Sequence, residues 1–148
     1  MTDTTNMTET FADTLMGFTL PGRSARGRIV RMDSVLEQVL SAHDYPAPIT
    51  HLLGEALVLG ALMGGLLKGE HAQMTMQAQT TGGIVSLLVC DYRAGAVRGY
   101  ADFDGERLGK LGANPSLAAL FGEGYLAITF ETEGRQRSER GCKDGGGD

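Results

Sequence analysis

Ser41-Ala42-His43-Asp44-Tyr45-Pro46-Ala47-Pro48, leading directly into an apolar, glycine-studded segment from Ile49 to Lys68, is the stretch on which the fold turns. Proline lacks an amide hydrogen and biases the preceding residue away from the helical basin, so Pro46 and Pro48 mark a rigid corner between two helices. Pro48 can open the second helix, where a missing N–H leaves nothing unsatisfied. That helix carries Leu52, Leu53, Ala56, Leu57, Leu59, Met63, Leu66 and Leu67, interspersed with Gly54, Gly60, Ala61, Gly64 and Gly65. It is apolar almost all round, which predicts burial.

Length separates a core helix from a membrane span. Twelve residues, Ala56 to Leu67, pass without a charge between Glu55 and Lys68, whereas crossing a bilayer takes about 20. Gly60-Ala61-Leu62-Met63-Gly64 fits the small-xxx-small pattern, which in a soluble protein lets another backbone approach closely. The reading is close packing in a core, with no membrane partner.

Working outward, Ser34-Val35-Leu36-Glu37 has the spacing of a capping box, followed by the apolar stripe Val35, Leu36, Val39 and Leu40, so a helix precedes the corner. Before it, Phe18-Thr19-Leu20 and Gly27 to Met32 read as short strands around a turn at Pro21-Gly22. After Lys68 the period changes to two. Met74, Met76 and Ala78 share one face, and Gln73, Thr75, Gln77 and Gln79 the other. Ile84 to Cys90 and Val97 to Phe103 complete a three-stranded meander. Asn114-Pro115 is expected to start a short helix through Leu117, Leu120 and Phe121, ended by Gly122, before a strand from Tyr125 to Thr132. The predicted class is α+β: an antiparallel sheet with helices packed on one face.

Composition bounds the function. A chain of 148 residues with net charge −5 suits one compact domain and attracts no phosphate backbone as a whole, although Arg23, Arg26, Arg28 and Arg31 make a local basic spot; nucleic acid is not an expected partner. Met1 to Thr10 has no basic region followed by an apolar core, so no signal peptide is expected. The two cysteines, Cys90 and Cys142, are too few for a disulfide scaffold and point to a reducing, cytoplasmic setting. Residues 1–14 and 134–148 carry no apolar pattern and are expected to be disordered tails around a domain at 15–133.

No catalytic constellation emerges. A cysteine nucleophile would need Cys90 beside His43 or His51, but Cys90 ends an apolar strand, where a thiol usually behaves as an inert buried hydrophobe. His43, His51 and His71 are scattered, neither cysteine belongs to a Cys-x-x-Cys pair, and Asp102-Phe103-Asp104-Gly105 does not complete a calcium loop. The expectation is no enzyme, no metal and no cofactor. There is instead a surplus of apolar surface: Ile84, Leu88 and Cys90 fall on one face of their strand and Val85, Leu87 and Val89 on the other. Helices cover one face only, so the second either packs under further structure or binds nonpolar segments of other proteins.

Several pieces of this chain resemble, in order, the redox-regulated 33-kilodalton heat-shock chaperones of bacteria. They are Arg26-Gly27-Arg28-Ile29-Val30-Arg31, His43-Asp44-Tyr45-Pro46, Gly54-Glu55-Ala56-Leu57-Val58-Leu59-Gly60-Ala61-Leu62, Cys90-Asp91-Tyr92-Arg93, Val97-Arg98-Gly99-Tyr100-Ala101 and Gly122-Glu123-Gly124-Tyr125-Leu126-Ala127-Ile128-Thr129. The resemblance covers most of Leu15 to Glu133. It implies part of the N-terminal domain of an ATP-independent, homodimeric holding chaperone for unfolded client polypeptides. Members of that family carry a C-terminal zinc switch with four cysteine ligands, and nothing in this sequence supplies those ligands, so a truncated form without zinc is expected. Val85, Leu87 and Val89 are the expected client-binding residues. The alternatives are a nonfunctional fragment with an aggregating sheet edge and a thiol enzyme centred on Cys90.

Overall fold

A computed structural model describes residues 13–132 of the chain, and within them the α+β expectation holds. Strands β1 (Thr14–Leu20) and β2 (Ala25–Arg31) form a separate antiparallel hairpin around a 3-10 turn at Pro21–Arg23. Helices α1 (Ser34–Ser41) and α2 (Ala47–Gly64) follow. Strands β3 (Gln73–Thr80), β4 (Val85–Arg93), β5 (Ala96–Phe103) and β6 (Gly124–Glu131) make an antiparallel sheet in the order β5-β4-β3-β6. Two short helices, α3 (Gly105–Gly109) and α4 (Leu117–Phe121), lie between β5 and β6. The expected tails and Cys142 lie outside the described residues, except that Asp13 and Thr14, assigned above to the first tail, are ordered parts of the fold.

The proline corner works as its chemistry dictates. Pro46 is the N-cap of α2 in extended conformation, and Pro48 sits in the first turn. The corner also closes one edge of the sheet, because β5 is an outer strand and the Tyr45 hydroxyl accepts the Ala101 N–H at 3.2 Å. The Tyr45 ring lies 6.2 Å from Phe103 and 5.2 Å from His43, which in turn meets Tyr100 edge-on at 5.6 Å. His43 is thus part of an aromatic clasp joining the corner to β5.

Helix α2 buries Ile49, Leu52, Leu53, Leu57, Gly60, Ala61 and Gly64 against the sheet. Its glycines set the distance. A Cβ at Gly60 would lie 2.6 Å from the Cys90 sulfur, and one at Gly64 only 2.2 Å from the Tyr92 ring, so the helix sits where only hydrogen fits. Gly99 on β5 does the same from below, leaving room for Leu53 and Leu57. Ile49, Leu53, Leu57, Met74, Val85 and Cys90 are the largest fully buried side chains, and each fully buried aliphatic contributes about 1.5–3 kcal/mol. By length and hydropathy α2 would qualify as a membrane span, but its buried stripe is what holds the sheet together.

Local details depart from expectation where a distant residue intervenes. No side chain of α1 caps its own N-terminus; the Asp13 carboxylate, arriving from the start of the hairpin, accepts the Asp33 N–H at 2.7 Å, the Val35 N–H at 3.3 Å and the Ser34 hydroxyl. These donors hold the Asp13 carboxyl below its ordinary range. Helix α4 is capped by Ser116, whose hydroxyl accepts the Ala119 N–H at 3.2 Å, rather than by Asn114. Asp104 caps α3 by accepting the Glu106 and Arg107 amides, so the acidic turn at Asp102–Gly105 is a helix start. Between β4 and β5 the turn has two residues, Ala94 and Gly95, both with positive φ.

Candidate functional site

Among the described residues, two strand surfaces in particular leave apolar side chains uncovered. The first is β6, whose eight residues are all exposed. Leu126, Ile128 and Phe130 stand directly opposite Ala78, Met76 and Met74 on β3, which puts them on the helix-bearing face. Met74 and Met76 are buried there, whereas Leu126, Ile128 and Phe130 remain 58%, 36% and 46% exposed because, within this sheet, α2 packs chiefly on β3, β4 and β5. An apolar groove follows, floored by Met76, Ala78 and Leu126 and walled by Leu52, Ala56 and Leu59 of α2 and by Leu117 and Phe121 of α4. β6 is also the outer strand of the sheet, opposite the edge that Tyr45 occupies.

The second place is the hairpin. Met16 pairs with Ile29, Phe18 with Gly27 and Leu20 with Ala25, so one hairpin face is apolar throughout and about half exposed. Its other face carries Arg26 and Arg28 beside Leu15, which packs on Gly65 at the end of α2. This hairpin buries no residue in the core.

The back of the sheet, where the sequence placed Val85, Leu87 and Val89, is different. Val85 is in the core with no exposed surface, and this corrects its assignment. The reason is a bulge: Val85 pairs with Phe103 but Leu87 with Asp102, so Ser86 is an extra residue and alternation breaks there. Ile84 and Val85 are consequently both buried. Leu87 and Val89 do face the back, half-buried within a polar lattice. Thr75 donates to Asp91 at 2.7 Å, the Tyr125 hydroxyl to Gln79 at 2.6 Å and Gln73 to Glu131 at 2.5 Å.

Among the described residues, Cys90, His43 and His51 do not converge. Cys90 is sealed beneath Gly60, and burial, with Asp91 alongside, pushes its thiol up to about 12, leaving it protonated and unreactive. His51 pairs with Glu55 on the exposed side of α2 at 3.1 Å, and His43 is held in the aromatic clasp. Among the described residues no group of three or more His, Cys, Asp or Glu side chains could hold a metal. The zinc that the resemblance implies does not fit them, since its thiolate ligands would have to come from a buried neutral cysteine.

The distinctive surface that the described residues present is uncovered apolar strand on an α+β fold. The chain belongs to the Hsp33 protein family, whose pattern matches residues 13–141 and so runs past Glu133, where the sequence reading ended it. It is 37% identical over 135 residues to a 33 kDa chaperonin of Caulobacter vibrioides, covering 88% of this chain and 44% of that protein. A 33 kDa chaperonin of Aliivibrio salmonicida is 34% identical over 125 residues, covering 84% of this chain and 41% of the relative. The chain therefore spans less than half the length of these curated relatives.

The signal for β6 was present as the alternation Leu126, Ile128, Phe130, and it identified a strand. Its position at an edge beyond the reach of α2 is a matter of sheet order, which alternation does not encode.

Proposed function

We propose that this chain is a holding chaperone that captures unfolding polypeptides without ATP on the groove between α2 and β6. The observation that carries the reading is a strand exposed along its whole length with three large apolar side chains on one face. An extended client segment can add to such an edge through main-chain hydrogen bonds while its own apolar side chains cover Leu126, Ile128 and Phe130. Backbone pairing is indifferent to client sequence, which suits a protein that holds many partners. Each of these half-exposed side chains contributes roughly 1 kcal/mol when covered, so the affinity is modest and the binding reversible.

In this reading the chain works as a homodimer in the cytoplasm, binds no zinc through its own residues and is not switched by oxidation. Leu87 and Val89 are a lesser contact, hemmed in by polar neighbours. The test is suppression of light scattering by a thermally unfolding client, without nucleotide, with Ile128→Ser/Phe130→Ser set against Leu87→Ser/Val89→Ser. Loss of about 2 kcal/mol lowers capture about 30-fold in the first variant and much less in the second. Full activity of the first variant, with its circular dichroism unchanged, would move the client site away from β6. A parent chain that scatters light by itself and protects no client would mark a nonfunctional fragment instead.

A further inference from the structure

The hairpin and the end of α2 enclose a second groove, bordered by Leu66 and lined by Arg26, Arg28 and Lys68. The three cations are exposed, and none makes an ion pair or hydrogen bond with a described residue. Arg23, Arg93 and Lys110 likewise lack a side-chain partner among the described residues, but they stand outside this groove, and three further cations are paired. Arg31 meets Asp33 at 3.2 Å, Arg98 meets Asp91 at 3.6 Å, and Arg107 donates to the Gly82 carbonyl at 2.9 Å. Three unpartnered positive groups thus share one open groove with a 58% exposed Leu66, while the Phe18 ring lies over Gly27 on the opposite face of the hairpin. They do so on a chain whose net charge is −5, so this groove is a local exception to an acidic surface.

From this juxtaposition we infer that the groove is a selectivity subsite for client segments in which acidic residues flank an apolar core. The inference rests on the holding-chaperone reading and narrows its clients. Leu66 would cover an apolar client side chain, while Arg26, Arg28 and Lys68 would take the neighbouring carboxylates. Arginine matches a carboxylate with two parallel N–H donors, and an apolar border reduces the competition from water. Lysine-flanked segments meet repulsion in the same place, so discrimination comes from both signs.

The test is fluorescence anisotropy with three labelled peptides that share one apolar core and differ only in flanks of Glu, Gln or Lys. The parent should bind the Glu-flanked peptide roughly tenfold more tightly than the Lys-flanked one, since each exposed charge contributes only modestly. That preference should shrink in high salt and vanish in Arg26→Gln/Arg28→Gln, which should still bind the Gln-flanked peptide like the parent. Equal binding of all three peptides by the parent overturns the subsite but leaves the holding reading intact. Binding of none overturns both. A preference that survives the double substitution places the charge reader elsewhere, and tighter binding of a single-stranded oligonucleotide at these arginines makes the groove a polyanion site instead.

Discussion

Adding one methyl group at Gly60 tests whether the closeness of α2 to the sheet is a requirement or an accident. The Cβ of Gly60→Ala would lie 2.6 Å from the Cys90 sulfur and 3.5 Å from the Met74 terminal methyl, both on fully buried side chains. Nothing nearby can give way into solvent, so α2 must rise or Cys90 must leave its rotamer, at a cost of about 1–3 kcal/mol. Alanine in a helix interior returns about 1 kcal/mol over glycine. The net expectation is a loss of up to about 2 kcal/mol, read as a lower urea midpoint at unchanged slope. A second substitution reveals the cause. With Cys90→Ala in place the sulfur is gone, and Gly60→Ala should now stabilise by about 1 kcal/mol. The double-mutant cycle therefore carries a coupling of about 1–3 kcal/mol. Additive effects, or a stabilising Gly60→Ala in the parent, would refute the close-contact argument.

Other expectations follow from single features. Cys90 should resist iodoacetamide at neutral pH in the folded chain and react once urea unfolds it; brisk alkylation of the native protein would reopen the thiol-enzyme reading. Because its folded pKa is raised, the Cys90 contribution to stability is complete below the unfolded value of 9.0 and is lost as pH climbs towards about 12. The stability difference between parent and Cys90→Ala should accordingly move against the parent across that window, and a flat difference would place the thiol in water. Ala94 holds a φ of 50° in its two-residue turn, so Ala94→Gly should raise stability by about 1 kcal/mol in the same urea titration.

What the sequence revealed, and what it withheld, divides along the range of the interactions concerned. The proline corner, the buried helix and the strands around Met74, Leu88 and Ala101 were legible because each depends on local stereochemistry or on a hydrophobic period. The cap of α1 was not, because Asp13 reaches it from more than a helix length away in sequence. Val85 was misplaced for a related reason. Strict alternation from Leu88 sends it to the back of the sheet, and only the pairing with β5 shows that Ser86 is the extra residue. The candidate site suffered most. Exposure of Leu126, Ile128 and Phe130 depends on which strand lies outermost and how far α2 extends sideways, and neither is written in any short stretch of sequence.

Every fully buried side chain of the described domain comes from α2, β3, β4, or the segments between β2 and β6, and none from β6 itself. The core is complete without its outermost strand. Detaching β6 would cost its ladder with β3 and little buried area, so it forms a unit of low local stability on a rigid base. Its amides should exchange with deuterium well before those of β4. The outermost strand then behaves as a replaceable cover: when it lifts, the edge of β3 behind it offers a fresh row of donors and acceptors to any chain already waiting there.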